Sequence, residues 1–452
     1  MSEARDSDRQ VSQVLWLLST VLFFGVLNGT MINVALPFIG AHFEAPGHHY
    51  AWLVTGFSLT FGVFSILQGR WADLYGARKM YLLGLALTGV LAMGVAFAQS
   101  LAVAIALRVA QGAASAAIPA IGPLIVSRMV PVERRGAAMG LLLASIGSAA
   151  ALGPFLGGLL VQLWGWRAVF LVPACLLLLV PLGWRLLPAV LDQRQAGSFD
   201  VMGAALLTVV ATAALMAMGG GPAAPAWLTI ALFSGGLLAL HLRRAAQPFL
   251  RPEHFRNLSF VAVCVAGAAA NACRFGALIV VPVLLVRVEE VLPVWVGVVL
   301  LPGALAVTLF SRRAGRWSDR VGARRPALYG SLVLAAGTFL MAAVAGWRLE
   351  WMALAMGVAG LGMAIQQSPL LSTASALLPP AESGLGIGAY MMLSFLGGAF
   401  GVALGLGLAE SLRGDAWGPY RGALVALGLI GVVGALASLW LPDKRASARA
   451  AT

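Results

Sequence analysis

Two arginines stand inside long apolar stretches of this sequence, at Arg108 and Arg274. A positive charge at the centre of a bilayer costs at least about 2.5–3.5 kcal/mol on insertion scales, so each guanidinium needs a protein partner or a water-filled cavity. Gln111 follows Arg108 by three residues and Asn271 precedes Arg274 by three, which places each amide on the same helical face as its arginine. The chemistry that these groups offer is the binding of a negatively charged group.

Other amides lie in the apolar stretches, whereas acids avoid their centres. None of the 17 acidic residues falls in the central part of a predicted membrane span. A cationic ligand would need a carboxylate there, and so would a proton carried on the protein. The pattern predicts an amide-rich, cationic cavity and an anionic or zwitterionic substrate with an apolar body. The candidate substrate-binding or coupling residues are Asn28, Asn33, Arg108, Gln111, Asn271, Arg274, Gln366 and Gln367.

The composition requires membrane helices to position these residues. Of 452 residues, 60% are hydrophobic and only 10% are charged, against about 25% charged in soluble domains. At about 20 apolar residues a span, this is enough for roughly 14 spans. The sequence therefore predicts an all-α membrane protein. The expected spans are 13–41, 50–68, 80–98, 101–128, 136–163, 166–188, 201–219, 226–242, 258–286, 293–311, 327–346, 350–378, 384–410 and 421–441.

The distribution of positive charge predicts the orientation. Of 30 Lys and Arg residues, 23 fall in the segments on the same side as the two termini, 5 fall on the other side, and Arg108 and Arg274 lie within spans. By the positive-inside rule, both termini are cytoplasmic and the protein is a multi-pass protein of the cell membrane. The net charge of +13 is thus explained by topology rather than by nucleic-acid binding.

Other functional classes lack their motifs. No phosphate-binding GxxxxGK[ST] loop and no Ser/His/Asp, Cys/His or HExxH arrangement occurs, so an enzyme and a P-loop ATPase are not expected. The three cysteines lie in apolar runs without CxxC spacing, which predicts neither a disulfide framework nor a metal site. No cofactor is expected, and the expected partners are the lipid bilayer and a small-molecule substrate. The oligomeric state is left open.

A short motif recurs with identical spacing at an offset of 246 residues. It predicts two homologous halves of six spans each, with two extra helices between them. The repeated positions are Gly69, Asp73, Gly76, Arg78 and Lys79 in the first copy and Gly315, Asp319, Gly322, Arg324 and Arg325 in the second. The predicted regions are a cytoplasmic N-terminus (1–12), a six-helix bundle (13–188), a linker with two transmembrane helices (189–257), a second bundle (258–442) and a cytoplasmic tail (443–452).

Several motifs together resemble a known transporter family. The segment 69–79 matches the loop signature between helices two and three of the major facilitator superfamily, and 30–37 (TMINVALP) resembles the first helix of its 14-helix drug:proton antiporters. The segments 52–57 and 108–112 are similar to that family's second and fourth helices. The resemblance implies a major facilitator fold with 14 transmembrane helices (6+2+6), in which the repeated loop acts as a conformational latch.

The fifth span is similar to the family's antiporter motif, through Gly153, Pro154, Gly157 and Gly158. This resemblance favours export over import by alternating access. Five residues before Asn33, where relatives typically carry an acid, this chain has Asn28, so proton coupling stays open. The leading hypothesis is a secondary active exporter of amphipathic drugs or metabolites. The alternatives are an organic-anion uptake or facilitated carrier and a non-transporting membrane sensor or scaffold.

Overall fold

The computed structural model describes residues 2–192, 200–218, 224–245, 256–377, 383–411 and 416–442. In these ranges the chain is almost entirely helical and forms no strand. The helices are α1 (Ser2–His42), α2 (Gly47–Tyr50), α3 (Trp52–Tyr75), α4 (Ala77–Ala96), α5 (Leu101–Ser115), α6 (Ala117–Met129), α7 (Val132–Trp164), α8 (Ala168–Ala174), α9 (Leu179–Leu186), α10 (Val201–Met218), α11 (Ala224–Arg244), α12 (Leu258–Arg287), α13 (Pro293–Val321), α14 (Arg324–Val344), α15 (Leu349–Ala376), α16 (Ser383–Ser411) and α17 (Gly418–Ala437).

Each expected span coincides with a helix or with consecutive short helices in the described part of the chain. Twelve helical segments there are long and apolar enough to cross a membrane, and the bent segment Gly47–Tyr75 gives a thirteenth. The helix Met202–Ala217 is apolar but shorter. The prediction of an all-α membrane protein is confirmed, whereas the count of 14 spans stays a prediction. The tail 443–452 and the linker residues 193–199, 219–223 and 246–255 lie outside the described residues.

The helices form two bundles and a separate pair. The helices α1 and α3–α9 pack together, as do α12–α17, while α10 and α11 pack on each other and α10 contacts α3 and α16. The two copies of the repeated motif occupy matching corners, since Gly76 joins α3 to α4 and Gly322 joins α13 to α14. Both glycines have positive φ, +102° and +88°, which explains the residue type at these two turns.

The two ends of the molecule are packed differently. We call the end where α1 begins and α17 ends the terminal end, and the opposite end the far end. In the far half, one apolar cluster joins both bundles, with Ile39 and Phe170 from the first and Ile279 and Leu406 from the second. In the terminal half, each bundle has its own cluster, and the bundles share apolar contacts along α3, α12 and α16 beside α10. The bundles are therefore joined most extensively at the far end.

The helix α7 packs against both bundles through the glycines of its motif. A Cβ atom at Gly153 or Gly157 would collide with Thr30 or with the backbone of Met31 on α1. A Cβ atom at Gly158 would collide with the carbonyl of Pro293 on α13, and one at Gly297 would collide with the carbonyl of Pro154. Small residues let helix backbones approach closely in membranes. The motif therefore serves contacts on two faces of α7, one of them between the bundles.

Two glycines of α16 provide a matched test of this packing. A Cβ atom at Gly401 would collide with the carbonyl of Ala272 on α12, whereas one at Gly407 has nothing within 4 Å. We expect Gly401→Ala to lower the free energy of unfolding by about 1–3 kcal/mol through overpacking. Gly407→Ala should leave it unchanged or raise it by up to about 1 kcal/mol through helix propensity. Thermal unfolding of both variants in detergent measures this, and equal midpoints would contradict the close approach of α12 and α16.

Candidate substrate site

A cavity lies between α1 and α7 of the first bundle and α12–α15 of the second. The empty space within its lining is about 650 Å³ when the part open to solvent is included. Its lining is largely apolar and contains three methionines, Met341, Met356 and Met363. The polar side chains in its lining are Thr30, Asn33, Cys273, Arg274 and Thr338. An apolar chamber with a few polar groups is the usual form of a small-molecule site.

Arg274 is the charged group of this lining. Its side chain is partly buried, and its guanidinium lies 5.2 Å from the centre of the Phe275 ring. In the part of the chain that the structure describes, it makes no hydrogen bond within 3.5 Å and no ion pair within 4.0 Å. A guanidinium in an apolar setting binds carboxylate or phosphate groups strongly, in a two-pronged geometry. Arg274 is therefore available to an anionic ligand.

The other polar groups of the cavity differ in their availability. The hydroxyl of Thr30 donates to Val26 O at 3.1 Å, and the Cys273 sulfur lies 3.0 Å from the Thr338 hydroxyl, which donates to Leu334 O. The Asn33 amide lines the cavity without a hydrogen bond to any described residue. Asn33 and Arg274 are thus the lining side chains whose polar atoms are open to a ligand.

Arg108 is placed apart from the cavity, inside the first bundle. It is only 1% exposed and its guanidinium lies 4.0 Å from the centre of the Phe57 ring. It donates to Asn28 Oδ1 at 3.0 Å, to Gln111 Oε1 at 2.7 Å and to Leu53 O at 3.2 Å. The charge is therefore solvated by neutral protein oxygens. This network ties α5 to α1 and α3.

The network continues from Gln111 into α4. Its amide donates to Thr88 O at 3.2 Å, and the Thr88 hydroxyl lies 3.1 Å from that of Ser115. Asn28 is fully buried, and its Nδ2 has no hydrogen-bond partner among the described residues. Asn28, Arg108 and Gln111 thus form one cluster, of which helical spacing in the sequence related only Arg108 and Gln111. The structure separates that cluster from Asn33 and Arg274.

The remaining amides are also divided. Asn271 is partly buried and its Nδ2 donates back to Gly267 O at 3.3 Å on the same helix. Gln366 is fully buried and accepts a hydrogen bond from Ser331 at 2.6 Å, which joins α15 to α14. Gln367, the next residue, is exposed. Neither glutamine lines the cavity that contains Arg274.

The repeated loop forms specific contacts at the terminal end. Asp73 pairs with Arg128 at 2.9 Å, and Arg78 donates to Trp184 O and lies 4.5 Å from the centre of the Trp184 ring. Lys79 N donates to Asp192 Oδ1 at 3.2 Å. The first copy thus connects α3, α6, α9 and the start of the linker.

The structure describes only part of the second copy of the repeated motif. Gly315 faces Ser368 on α15, Gly322 makes the turn into α14, and Arg324 begins α14. The side chain of Asp319 lies outside the described residues.

Two features of the structure were not identified from the sequence. A row of phenylalanines from three helices crosses between the two arginines, and Glu410 of the second bundle binds the start of α2 in the first. In the sequence, nothing distinguishes these phenylalanines from the other apolar residues. His48 lies in a histidine-rich loop and Glu410 is an acid at the end of a predicted span, but the sequence does not indicate that they pair. Their pairing at 2.7 Å joins positions 362 residues apart, for which no local pattern exists.

The different settings of the two arginines predict different effects on stability. We expect Arg108→Ala to lower the free energy of unfolding by about 2–4 kcal/mol, because it leaves the buried oxygens of Asn28 and Gln111 without donors. Arg274→Ala removes no hydrogen bond of the described residues, so we expect a change within about 1 kcal/mol. Thermal unfolding in detergent compares the two. Similar losses in both variants would mean that Arg274 also has a structural partner.

Comparison with known proteins places this architecture in a family. The model of the Major Facilitator Superfamily matches residues 18–402 and 295–452. The chain is 29% identical over 412 residues to the multidrug resistance protein Stp of Mycobacterium tuberculosis, covering 87% of this chain and 75% of Stp. It is 26% identical over 382 residues to the riboflavin transporter RibZ of Clostridioides difficile, covering 82% of each.

A solved structure shares the fold. The crystal structure of a bacterial homologue of the human lysosomal transporter Spinster, in an inward-facing and unoccupied conformation, superposes with a TM-score of 0.70 at 14% identity, covering 95% of this chain and 96% of that one. At that identity the likeness concerns the fold alone. Since the family model spans most of the sequence, the chain belongs to the major facilitator superfamily, and it is a membrane transporter rather than an enzyme.

Proposed function

We propose that this transporter exports amphipathic organic anions or zwitterions from the cell by alternating access. The observation that carries the proposal is Arg274, which lines the cavity without an ion pair or hydrogen bond to a described residue. An uncompensated buried cation favours a ligand that brings the missing negative charge. Asn33 offers a neutral donor and acceptor in the same cavity, and the methionines of its lining adapt to irregular apolar bodies.

The orientation follows from the loop charges. We place the terminal end in the cytoplasm, because 23 of the 30 Lys and Arg residues lie in segments on that side. An anion that leaves an inside-negative cell gains about 2.3 kcal/mol per 100 mV of membrane potential. For an anionic substrate the membrane potential alone can then drive export without a proton, whereas a zwitterion, which has no net charge, does not obtain this driving force. Likeness to the multidrug resistance protein Stp supports export of small molecules, and the motif helix α7 supports the same direction.

Alternating access requires the far end to open. The apolar cluster that joins the bundles closes that end, and a polar contact reinforces it. Glu410 accepts hydrogen bonds from the backbone N–H groups of Gly47 and His48, and its carboxylate lies 2.7 Å from the His48 ring. Gly47 and His48 lie on α2, which connects α1 to α3 of the first bundle, and Glu410 lies on α16 of the second. Rocking of the bundles must therefore break the Glu410 contact whenever the cavity opens to the outside.

Flux in proteoliposomes tests the role of Arg274. With potential and pH gradient imposed separately, wild type should carry anionic amphipaths under potential alone. Arg274→Ala should lower the flux about tenfold or more, because one charge-assisted contact to the ligand is lost. The control is Arg348→Ala, since Arg348 is 82% exposed and pairs with Glu350.

Four outcomes would contradict the proposal. Anion flux unchanged by Arg274→Ala would remove its basis. Cation efflux that requires a pH gradient would indicate an ordinary proton antiporter, and inward-only anion flux would indicate an uptake carrier. An absence of any flux or binding would favour the sensor or scaffold.

The Glu410 contact makes a separate prediction about conformation. Glu410→Gln weakens two backbone hydrogen bonds and the His48 pair, so we expect the outward-open state to be about 5–30 times more populated. The reporter is Leu278→Cys in the cavity lining, in a chain whose three native cysteines are replaced by alanine. Its alkylation by a membrane-impermeant reagent added outside should accelerate by that factor.

Glu350→Gln is the matched control for this change. Glu350 lies at the same end, is 69% exposed and pairs with Arg348 within its own bundle. It should leave the alkylation rate unchanged. Equal acceleration by both substitutions would mean that loss of any far-end carboxylate, rather than the contact between bundles, sets the rate.

A further inference from the structure

Four phenylalanines form a continuous row between the two intramembrane arginines. The successive ring centres are 5.7 Å apart from Phe57 to Phe61, 4.7 Å from Phe61 to Phe395 and 6.2 Å from Phe395 to Phe275. The guanidinium of Arg108 lies 4.0 Å from the first ring centre, and that of Arg274 lies 5.2 Å from the last. We call Phe57, Phe61, Phe395 and Phe275 the phenylalanine row. It crosses from the first bundle to the second.

The direction of α3 places its two rings toward the interior. Leu59 and Val63 pack with residues of α10, so that side of α3 is covered by the extra helices. Residues two apart on a helix differ by about 200° in direction. Phe57 and Phe61 therefore lie on the side of α3 away from α10, where Phe57 faces Arg108 inside the first bundle and Phe61 contacts Phe395 of the second.

Glycines on the neighbouring helices leave room for the other two rings. A Cβ atom at Gly398 would collide with the Phe275 ring, and one at Gly62 would lie 3.0 Å from the Phe395 Cβ. All four rings of the row are only partly buried. The row thus keeps ring surface available in the middle of the transporter.

The two ends of the row differ in what they can bind. Arg108 is only 1% exposed and already donates to three oxygens, so it is closed to a ligand. Arg274 lines the cavity without a hydrogen bond to a described residue. A ligand on the row would therefore direct its negative group to Arg274. Aromatic rings prefer offset or edge-to-face partners at centre distances of about 4.5–7 Å, which partly exposed rings offer.

We propose that the phenylalanine row is the binding surface for the flat ring of an aromatic anion whose carboxylate pairs with Arg274. The proposal rests on the proposed function and narrows its substrate class from amphipathic anions to aromatic ones. Phe395 and Phe61 supply edge and face contacts to the ring, and Arg274 supplies the charge. An aliphatic carboxylate of similar size obtains the charge contact and general apolar contact but not the ring contacts.

Equilibrium dialysis of the purified full chain in detergent tests this directly. The probes are 2-naphthoate and nonanoate, which carry the same charge on an aromatic and an aliphatic body. Wild type should bind 2-naphthoate several-fold more tightly. Phe395→Leu and Phe61→Leu should each raise the Kd of 2-naphthoate about fivefold and leave that of nonanoate within about twofold. Phe400→Leu is the control, because Phe400 lies on the same helix as Phe395, outside the row, and is 39% exposed.

The outcomes separate this proposal from the proposed function. Equal weakening of both probes would indicate a general effect on packing or conformation and would overturn the row as a ring site. Wild-type binding of nonanoate as tight as that of 2-naphthoate, or no binding of 2-naphthoate, would overturn it as well, even if anion flux is intact. Selective binding that the row variants abolish, without any flux in proteoliposomes, would support the row and overturn the proposed transport function.

Discussion

A charge placed in hydrocarbon has to be solvated by the protein, and this constraint organises the interior of the transporter. Arg108 meets it with three neutral oxygens and an aromatic face, so the first bundle is built around it. Arg274 is solvated only by the adjacent Phe275 ring and by the cavity that it lines. In the proposed function, an anion that enters the cavity offsets the cost of leaving this cation without a partner. The same residue type is thus bonded within the fold in one half and left without a described hydrogen-bond partner in the other.

The fold was largely predictable because its signals are long and local. Apolar runs of about 20 residues, loop charges and the repeated motif each report on their own segment, and the two copies of the motif form the corners α3–Gly76–α4 and α13–Gly322–α14. The grouping of the polar residues was less predictable. Helical spacing placed Arg108 and Gln111 on one face of their helix, and Asn271 and Arg274 on one face of theirs. Spacing alone does not show which way a helical face points. In the structure the face with Arg108 lies inside its own bundle, whereas Arg274 lines the cavity.

Neighbouring residues illustrate why the rotation of a helix decides the site. Gln366 bonds to Ser331 between α15 and α14, and Gln367 is exposed on another side of the same helix. Contacts between distant segments, such as Glu410 with His48 or the phenylalanine row, depend on how two bundles meet. The packing of the two bundles depends on glycines that let helix backbones approach closely, for example Gly158 of α7 against Pro293 of α13. These approaches involve small residues whose partners carry no signature in the sequence.

The extra pair of helices has a consequence for molecules dissolved in the lipid. Because α10 lies against both α3 and α16, it covers the seam where the two bundles meet on that side. On the opposite side, α7 and α13 meet without a covering helix in the described residues. A hydrophobic compound diffusing within a leaflet therefore encounters two unequal flanks. The inserted pair thus gives the transporter two different flanks in the membrane plane, one covered by α10 and one at which α7 and α13 are left uncovered in the described part of the chain.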